Sequence, residues 1–206
     1  MKNIIFDWSG VVKDAVTSQL WIVNRIFEKY GVRQISLEEL KESWEQPHQL
    51  FYNKYLPKLS LEQESIDYKE AIFNKNCPKS KSFQGMADLI KELKKENHFL
   101  SVVTSDLAEN IAREIKEYDL ENIFDEIITD VYDKYEAISK LMKERNLSLD
   151  DTYFVGDSNH EIDISKKERI RSVAVTWGFC KEKKLKSLNP DYLVKSVKEL
   201  GSILLS

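Results

Sequence analysis

The stretch that decides the fold is NIIFDWSG, residues 3–10. Its apolar part, residues 4–6, is short and continuous, and it ends at Asp7. The turn-forming pair Ser9 and Gly10 follows at once. A short apolar run bounded by a turn signal is typical of a buried strand. We therefore predict that the first strand of the protein ends at Asp7.

Two different patterns follow this strand. From about residue 15 to residue 76 apolar side chains recur at helical spacing, as at Leu20, Val23 and Phe27, and Ser36 and Ser60 are expected N-caps. After residue 85, helical segments alternate with short apolar runs, which predicts a parallel sheet covered by helices on both faces. The expected fold class is α/β, with a Rossmann-like core (residues 1–14 and 80–206) and an inserted α-helical cap (residues 15–79).

Composition limits the classes of partner. The 206 residues are 42% hydrophobic and 32% charged, enough apolar material for a packed core, and the net charge of -4 gives no reason to expect nucleic acid or a membrane as a partner. Cys77 and Cys180 form neither a metal-type spacing nor a disulfide framework, which suits a reducing compartment. No apolar run approaches the roughly 18 residues that span a bilayer. We expect a soluble, cytoplasmic protein.

Polar residues stand at the ends of four predicted strands or just beyond them. Asp7 follows the first strand, Thr104 and Ser105 follow the run at 100–103, Lys134 comes shortly after the strand near residue 129, and Asp157 follows the run at 153–155. Each alone has an ordinary explanation as a helix cap or turn residue. Ligands of open parallel sheets bind outside the carboxyl ends of the strands. The four positions together therefore predict one shared site.

The order of these motifs resembles that of the haloacid dehalogenase-like hydrolase superfamily over essentially the whole chain. Residues 6–12 look like the first motif, whose leading aspartate, here Asp7, is the nucleophile. Residues 102–105 look like the second, whose Thr104 holds the phosphoryl group. Lys134 is similar to the third-motif lysine, and residues 155–163 look like the fourth motif, with Asp157 and Glu161 in its acidic positions. The insert after the first motif resembles the cap of the phosphoglycolate-phosphatase-like branch.

The resemblance implies a hydrolase that uses Mg²⁺ and acts on a small phosphorylated metabolite through an aspartyl-phosphate on Asp7. The implied catalytic residues are Asp7 and Lys134. The implied metal ligands are Asp7, the backbone carbonyl of Ser9, Asp157 and Glu161. The implied substrate-binding residues are Ser9, Gly10, Thr104, Ser105 and Lys134. We expect a monomer or homodimer.

One position departs from the family pattern. Phosphatases of this family carry a second aspartate two residues after the nucleophile, where it protonates the leaving group, and this chain has Ser9. Acid–base catalysis contributes about 10²–10⁴-fold, so Ser9→Asp is expected to raise turnover by at least about tenfold. The intervening Trp8 is expected to point away from the site.

Three interpretations of Ser9 stay open at the level of sequence. The chain is a specialised phosphatase that takes its proton from substrate, water or another side chain. Alternatively, it resembles phosphonoacetaldehyde hydrolases, which have a small residue at this position and also need a Schiff-base lysine from the cap. A third alternative is a non-catalytic member that binds a phosphorylated ligand or a protein. Dehalogenase chemistry is less expected, because the acidic fourth motif favours a metal.

Overall fold

A six-stranded parallel sheet forms the centre of the computed structural model, which describes all 206 residues. The chain has eight strands, which are β1 (Asn3–Phe6), β2 (Lys13–Asp14), β3 (Lys81–Ser82), β4 (Phe99–Val103), β5 (Glu126–Ile128), β6 (Thr152–Gly156), β7 (Arg171–Val175) and β8 (Tyr192–Val194). All except β2 and β3 belong to the central sheet. Their order in the sheet is β5-β4-β1-β6-β7-β8. Because β1 pairs with β4 on one side and β6 on the other, the carboxyl ends of these three strands lie next to one another.

Ten helices surround or extend this sheet. They are α1 (Val16–Lys29), α2 (Leu37–Ser43), α3 (Gln49–Asn53), α4 (Leu61–Ile72), α5 (Met86–Lys95), α6 (Ala108–Glu117), α7 (Lys134–Glu144), α8 (Asn159–Glu168), α9 (Glu182–Ser187) and α10 (Val197–Leu204). Side chains of β1 alternate between two hydrophobic clusters. Ile4 packs with residues of α5, α6 and α10, whereas Ile5 packs with residues of α7 and α8. Helices therefore cover both faces of the sheet, which confirms the predicted α/β class.

Helices α1–α4 form an insertion between the two short strands β2 and β3. β2 and β3 pair with each other antiparallel and so bring the two ends of the helical segment together. Ser36 and Ser60 are N-caps, as expected, and accept hydrogen bonds from the backbone amides three residues later. The sequence did not predict β2, β3 or α9, because elements this short carry no periodicity.

The helical segment shares its hydrophobic cluster with the sheet-bearing part. Trp44 packs against Phe179, which follows β7, with ring centroids 4.7 Å apart. The cluster continues into the helical segment through Phe51, whose ring lies 5.2 Å from that of Trp44. This contact holds the helical segment over the carboxyl end of the sheet. The division at residues 14/15 and 79/80 stays a prediction.

None of the helices has both the length and the apolar character that a membrane crossing requires. Cys77 and Cys180 are both free thiols.

Candidate active site

A buried ion pair joins Asp7 of the first motif to Lys134 of the third motif. Asp7 directly follows β1, and Lys134 is the first residue of α7; their side chains are 3% and 1% exposed. Asp7 Oδ1 lies 2.8 Å from Lys134 Nζ, which also lies 2.8 Å from Glu161 Oε1. Burial alone lowers the pKa of Lys134, but the attraction of both carboxylates raises it above its usual value. Lys134 is therefore a fixed positive charge beside Asp7.

Three carboxylates surround this lysine. Asp7, Asp157 and Glu161 each place an oxygen within 4.8 Å of the others. Burial, against the opposing attraction of Lys134, raises the pKa of Asp7 to about 7, and burial with repulsion from Asp7 raises the pKa of Asp157 well above its usual value. Asp7 Oδ2 and Asp157 Oδ1 are buried and have no hydrogen-bond partner. Two orphaned carboxylate oxygens in a net-negative pocket are the hard ligands that fit Mg²⁺.

Glu161 differs from the two aspartates because both of its oxygens are used. Oε1 pairs with Lys134, and Oε2 accepts hydrogen bonds from the Ser158 amide at 3.0 Å and from the Ser158 hydroxyl. These contacts complete a capping box at the start of α8. Although burial opposes the effect, Lys134 lowers the pKa of Glu161 to about 2. The Glu161 carboxylate therefore fixes Lys134 and the start of α8, and both of its oxygens already accept hydrogen bonds.

Two glycines shape the slot that contains Asp157. Gly10 has φ +88°, and a Cβ at this position would come 2.2 Å from Asp157 Oδ2. A Cβ at Gly178 would come 2.0 Å from the same oxygen. The amide of Phe179 donates a hydrogen bond to Asp157 Oδ2. Any side chain at either glycine would displace the carboxylate, so both glycines set its position.

Asp106, which lies two residues after Thr104, is a residue of the site that the sequence did not predict. Oδ2 of Asp106 accepts hydrogen bonds from the Ser9 hydroxyl at 2.6 Å and from the Thr104 hydroxyl at 3.2 Å. Lys13 lies 3.8 Å from the other oxygen, Oδ1, and 2.9 Å from Glu114. The sequence signal for Asp106 is its position just beyond the carboxyl end of a strand, next to the predicted site residues Thr104 and Ser105.

Trp8 points away from the contact between Ser9 and Asp106, as expected. Its indole Nε1 donates to Glu114 Oε2 at 2.8 Å, and its ring stacks on Tyr118. Trp8 is fully buried in the hydrophobic cluster that includes Ile4. Consecutive side chains after the strand thus separate, with Trp8 in the core and Ser9 at the site.

A cavity of about 120 Å³ lies where the first-motif loop meets the helical segment. It is lined by Ser9, Gln19, Trp44, Gln46, His48, Tyr52, Glu64, Ser65, Tyr68, Ser105, Asp106, Leu107 and Phe179. Larger grooves of about 500 and 710 Å³ elsewhere on the surface contain none of the predicted site residues. The predicted residues therefore form two adjoining parts. The first part is the buried charged centre, which consists of Asp7, Lys134, Asp157 and Glu161, with Gly10 packed on Asp157. The second part is the cavity, which Ser9 and Ser105 line. Thr104 is linked to the cavity by its hydrogen bond to Asp106.

Comparison with known proteins agrees with this arrangement. The chain is 22% identical over 202 residues to a phosphoglycolate phosphatase from Synechococcus elongatus, covering 97% of this chain and 95% of that protein. It is 22% identical over 210 residues to the pyrophosphatase PpaX from Oceanobacillus iheyensis, covering 98% and 96%. The structure is similar to that of a predicted phosphatase from Clostridium acetobutylicum, with TM-score 0.83, 23% identity and coverage of 100% and 99%.

A second solved structure, a haloacid dehalogenase-like hydrolase from Bacteroides fragilis, matches with TM-score 0.84 at 14% identity, covering 97% of this chain and 99% of that chain. The family model for haloacid dehalogenase-like hydrolases matches residues 4–175, which include all four motifs. With the motif residues gathered at one edge of the sheet and the family model spanning most of the sequence, this chain belongs to the haloacid dehalogenase-like hydrolase family.

Proposed function

We propose that this protein is a Mg²⁺-dependent phosphatase of small phosphorylated metabolites, and that it works through an aspartyl-phosphate on Asp7. The observation that carries the proposal is the asymmetric environment of the Asp7 carboxylate. Oδ1 is held by Lys134 at 2.8 Å, whereas Oδ2 is buried without a partner. The names of the two relatives, a phosphoglycolate phosphatase and a pyrophosphatase, support a small phosphorylated substrate.

The first half of the proposed reaction is attack of Asp7 on phosphorus. A bond forms between the carboxylate oxygen and phosphorus, and the bond from phosphorus to the leaving oxygen breaks. Lys134 neutralises the charge of the carboxylate and of the transferring oxygens. Bound by Asp7, Asp157 and the backbone carbonyl of Ser9, Mg²⁺ would add further positive charge there. In the second half, water attacks the aspartyl-phosphate and releases phosphate, which restores Asp7.

Both halves need a proton carrier, and Ser9 does not ionise at ordinary pH. Asp106 is the carboxylate that contacts Ser9, at 2.6 Å, and both residues line the cavity. We assign Asp106 to this role. Through the Ser9 hydroxyl it gives a proton to the leaving oxygen, and it later takes one from the attacking water. The same carboxyl thus acts first as the acid and then as the base.

The cavity argues against phosphonoacetaldehyde-hydrolase-like cleavage. That chemistry needs a lysine from the helical segment to form a Schiff base, and no lysine lines the cavity. Lys54 is one lysine of that segment. Its amine instead bonds the Ser43 carbonyl at 2.7 Å and Glu45 at 2.7 Å. The observed contacts therefore favour phosphate-ester hydrolysis.

The test is hydrolysis of p-nitrophenyl phosphate with and without Mg²⁺ by the wild type, Asp7→Asn and the control Asp14→Asn. Asp14 is exposed and lies in β2, outside the site. We expect Mg²⁺-dependent turnover in the wild type and the control, and none in Asp7→Asn, because an amide is a poor nucleophile. Turnover that persists in Asp7→Asn rules out covalent catalysis by this residue. If the wild type hydrolyses neither p-nitrophenyl phosphate nor any other phosphate monoester tested, the proposed phosphatase function is wrong.

A further inference from the structure

The cavity beside Ser9 has an unusual charge for a site in a phosphatase. Among its thirteen lining residues there is no lysine or arginine. Two buried carboxylates line it, Asp106 from the second-motif loop and Glu64 from α4, and the one basic side chain is His48. Asp106 already has Lys13 and two hydroxyl groups around it. The side of the cavity formed by the helical segment therefore has no surplus positive charge.

Three polar atoms on that side have no partner. They are the indole Nε1 of Trp44, the hydroxyl of Tyr52 and Oε2 of Glu64, and their residues are 3%, 1% and 2% exposed. A buried polar group without a hydrogen bond destabilises the folded protein. Three such groups, on residues that line one cavity, are therefore destabilising unless a ligand supplies the missing partners. Two of them, Trp44 and Tyr52, offer donors, and Glu64 offers an acceptor.

The other oxygen of Glu64 fixes its orientation. Oε1 lies 3.1 Å from His48 Nε2, so the carboxyl is held at the cavity wall and Oε2 stays free. Burial raises the pKa of Glu64 to about 7 and lowers that of His48. Whether the pair is charged or neutral, it adds no net positive charge to the cavity. A leaving group with a negative charge would find no lysine or arginine in the cavity to balance it, because the nearby Lys13 is already paired with Asp106 and Glu114.

We propose that this cavity receives the leaving group of the substrate, and that this group is a small alcohol without negative charge that carries a hydroxyl or ammonium group. The proposal rests on the phosphatase function. Glu64 Oε2 accepts a hydrogen bond from the hydroxyl or ammonium group, and the Tyr52 hydroxyl and Trp44 indole donate to its oxygens. The volume of about 120 Å³ is small beside the roughly 300–1,000 Å³ of typical ligand pockets. The specificity would thus differ from that named for the two relatives, because glycolate and phosphate leaving groups are both anionic.

The experiment compares three two-carbon phosphate monoesters that differ in the terminal group and in its charge. They are hydroxyethyl phosphate (neutral), phosphoethanolamine (cationic) and phosphoglycolate (anionic), with pyrophosphate as a fourth compound. We expect kcat/KM for the better of the first two to exceed that for phosphoglycolate and pyrophosphate by at least about tenfold, which corresponds to about 1.4 kcal/mol. The better substrate of the two identifies the hydroxyl or the ammonium group as the recognised chemistry.

Glu64→Gln tests the residue that carries the inference, and Glu62→Gln, exposed on the same helix, is the matched control. We expect Glu64→Gln to reduce the preference over phosphoglycolate to about threefold or less, mainly through KM, and Glu62→Gln to leave it unchanged. A wild-type preference for phosphoglycolate or pyrophosphate overturns the inference. An unchanged preference in Glu64→Gln does the same.

Calorimetry on Asp7→Asn separates this inference from the proposed function. The variant is titrated with the same compounds in the presence of Mg²⁺, so that affinity is measured without turnover. The same order of affinity in Asp7→Asn, with no hydrolysis by the wild type, would remove the phosphatase function and keep the binding preference. Hydrolysis of p-nitrophenyl phosphate by the wild type, with no preference for the non-anionic compounds in either assay, would keep the phosphatase function and remove the binding preference.

Discussion

The hydroxyl of Ser9 donates a hydrogen bond of 2.6 Å to Oδ2 of Asp106. The two residues are 97 positions apart, and each follows a strand of the same sheet, β1 and β4. A carboxylate is therefore present beside the position where family phosphatases carry their second aspartate, although it comes from a different motif. This contact changes what is expected of substitutions at position 9.

Asp106→Asn is expected to lower kcat by about 100-fold or more on phosphate esters with poor leaving groups, which need protonation most, within the range for acid–base groups. The loss should be only a few-fold on p-nitrophenyl phosphate, whose leaving group needs little protonation. The measurement is kcat across a series of esters of graded leaving-group pKa. Asp88→Asn, an exposed residue of α5, is the control and should match the wild type on every ester.

The double variant Ser9→Asp with Asp106→Asn should regain at least about tenfold of the activity lost in Asp106→Asn. It restores one carboxylate at the site from the other strand. Ser9→Asp alone would place two carboxylates together, so a gain is expected mainly when Asp106 is also replaced. Equal kcat values for Asp106→Asn and the wild type across the ester series would remove Asp106 from the mechanism.

Mg²⁺ is expected to raise the melting temperature of the wild type and not that of Asp157→Asn. A ligand that binds only the folded state adds about 2.7 kcal/mol at one hundred times its dissociation constant. The comparison is a thermal melt with and without Mg²⁺, with Asp163→Asn as the control because that residue is exposed on α8. If Asp157→Asn gains as much as the wild type, the metal binds elsewhere.

Lys134→Ala is expected to weaken binding of vanadate, a mimic of the transferring phosphoryl group, by a few kcal/mol, the scale of a charge-assisted contact. It also leaves Asp7 and Glu161 without their common partner, which typically destabilises a protein by about 3–5 kcal/mol. Lys134→Arg keeps the charge and separates the two effects. Lys140→Ala, whose side chain is 73% exposed on the same helix, should change neither quantity. Wild-type affinity for vanadate in folded Lys134→Ala would place this lysine outside the phosphoryl site.

Glu64 is expected to make stability depend on pH. Burial raises its pKa from the usual 4.5 to about 7. Between these values the folded protein holds a proton that the unfolded chain has lost, so the free energy of unfolding falls as pH rises through this window. Relative to the wild type, Glu64→Gln should therefore gain about 1–2 kcal/mol between pH 4 and pH 8, after allowance for solvent screening.

Denaturant titrations at several pH values measure this difference directly, since contributions shared with the wild type cancel. Glu62 is an exposed carboxylate, so the difference in the free energy of unfolding between Glu62→Gln and the wild type should not change with pH. A difference between Glu64→Gln and wild type that does not change with pH would show that Glu64 ionises normally in the folded state.

Local pattern was enough to predict the sheet and three residues of the charged centre, Asp7, Lys134 and Asp157, whereas the fourth, Glu161, was implied only by the family resemblance. The apolar run before Asp7 and the alternation of helices and strands after residue 85 are local features of the sequence. They indicate where each strand ends. Because parallel strands end at one edge, Asp7, Thr104, Lys134 and Asp157 could be assigned to one site before their distances were known. The order of the motifs then indicated the family.

Tertiary structure alone decided which side chains meet within that site. Nothing periodic links Ser9 to Asp106, and the dense polar and aromatic sequence of the helical segment gave no sign that Glu64 faces the cavity. The engagement of both Glu161 oxygens was equally hidden. Such contacts join residues that are distant in sequence, so they depend on the order of strands in the sheet and on where α4 packs, and not on any local pattern of residue types.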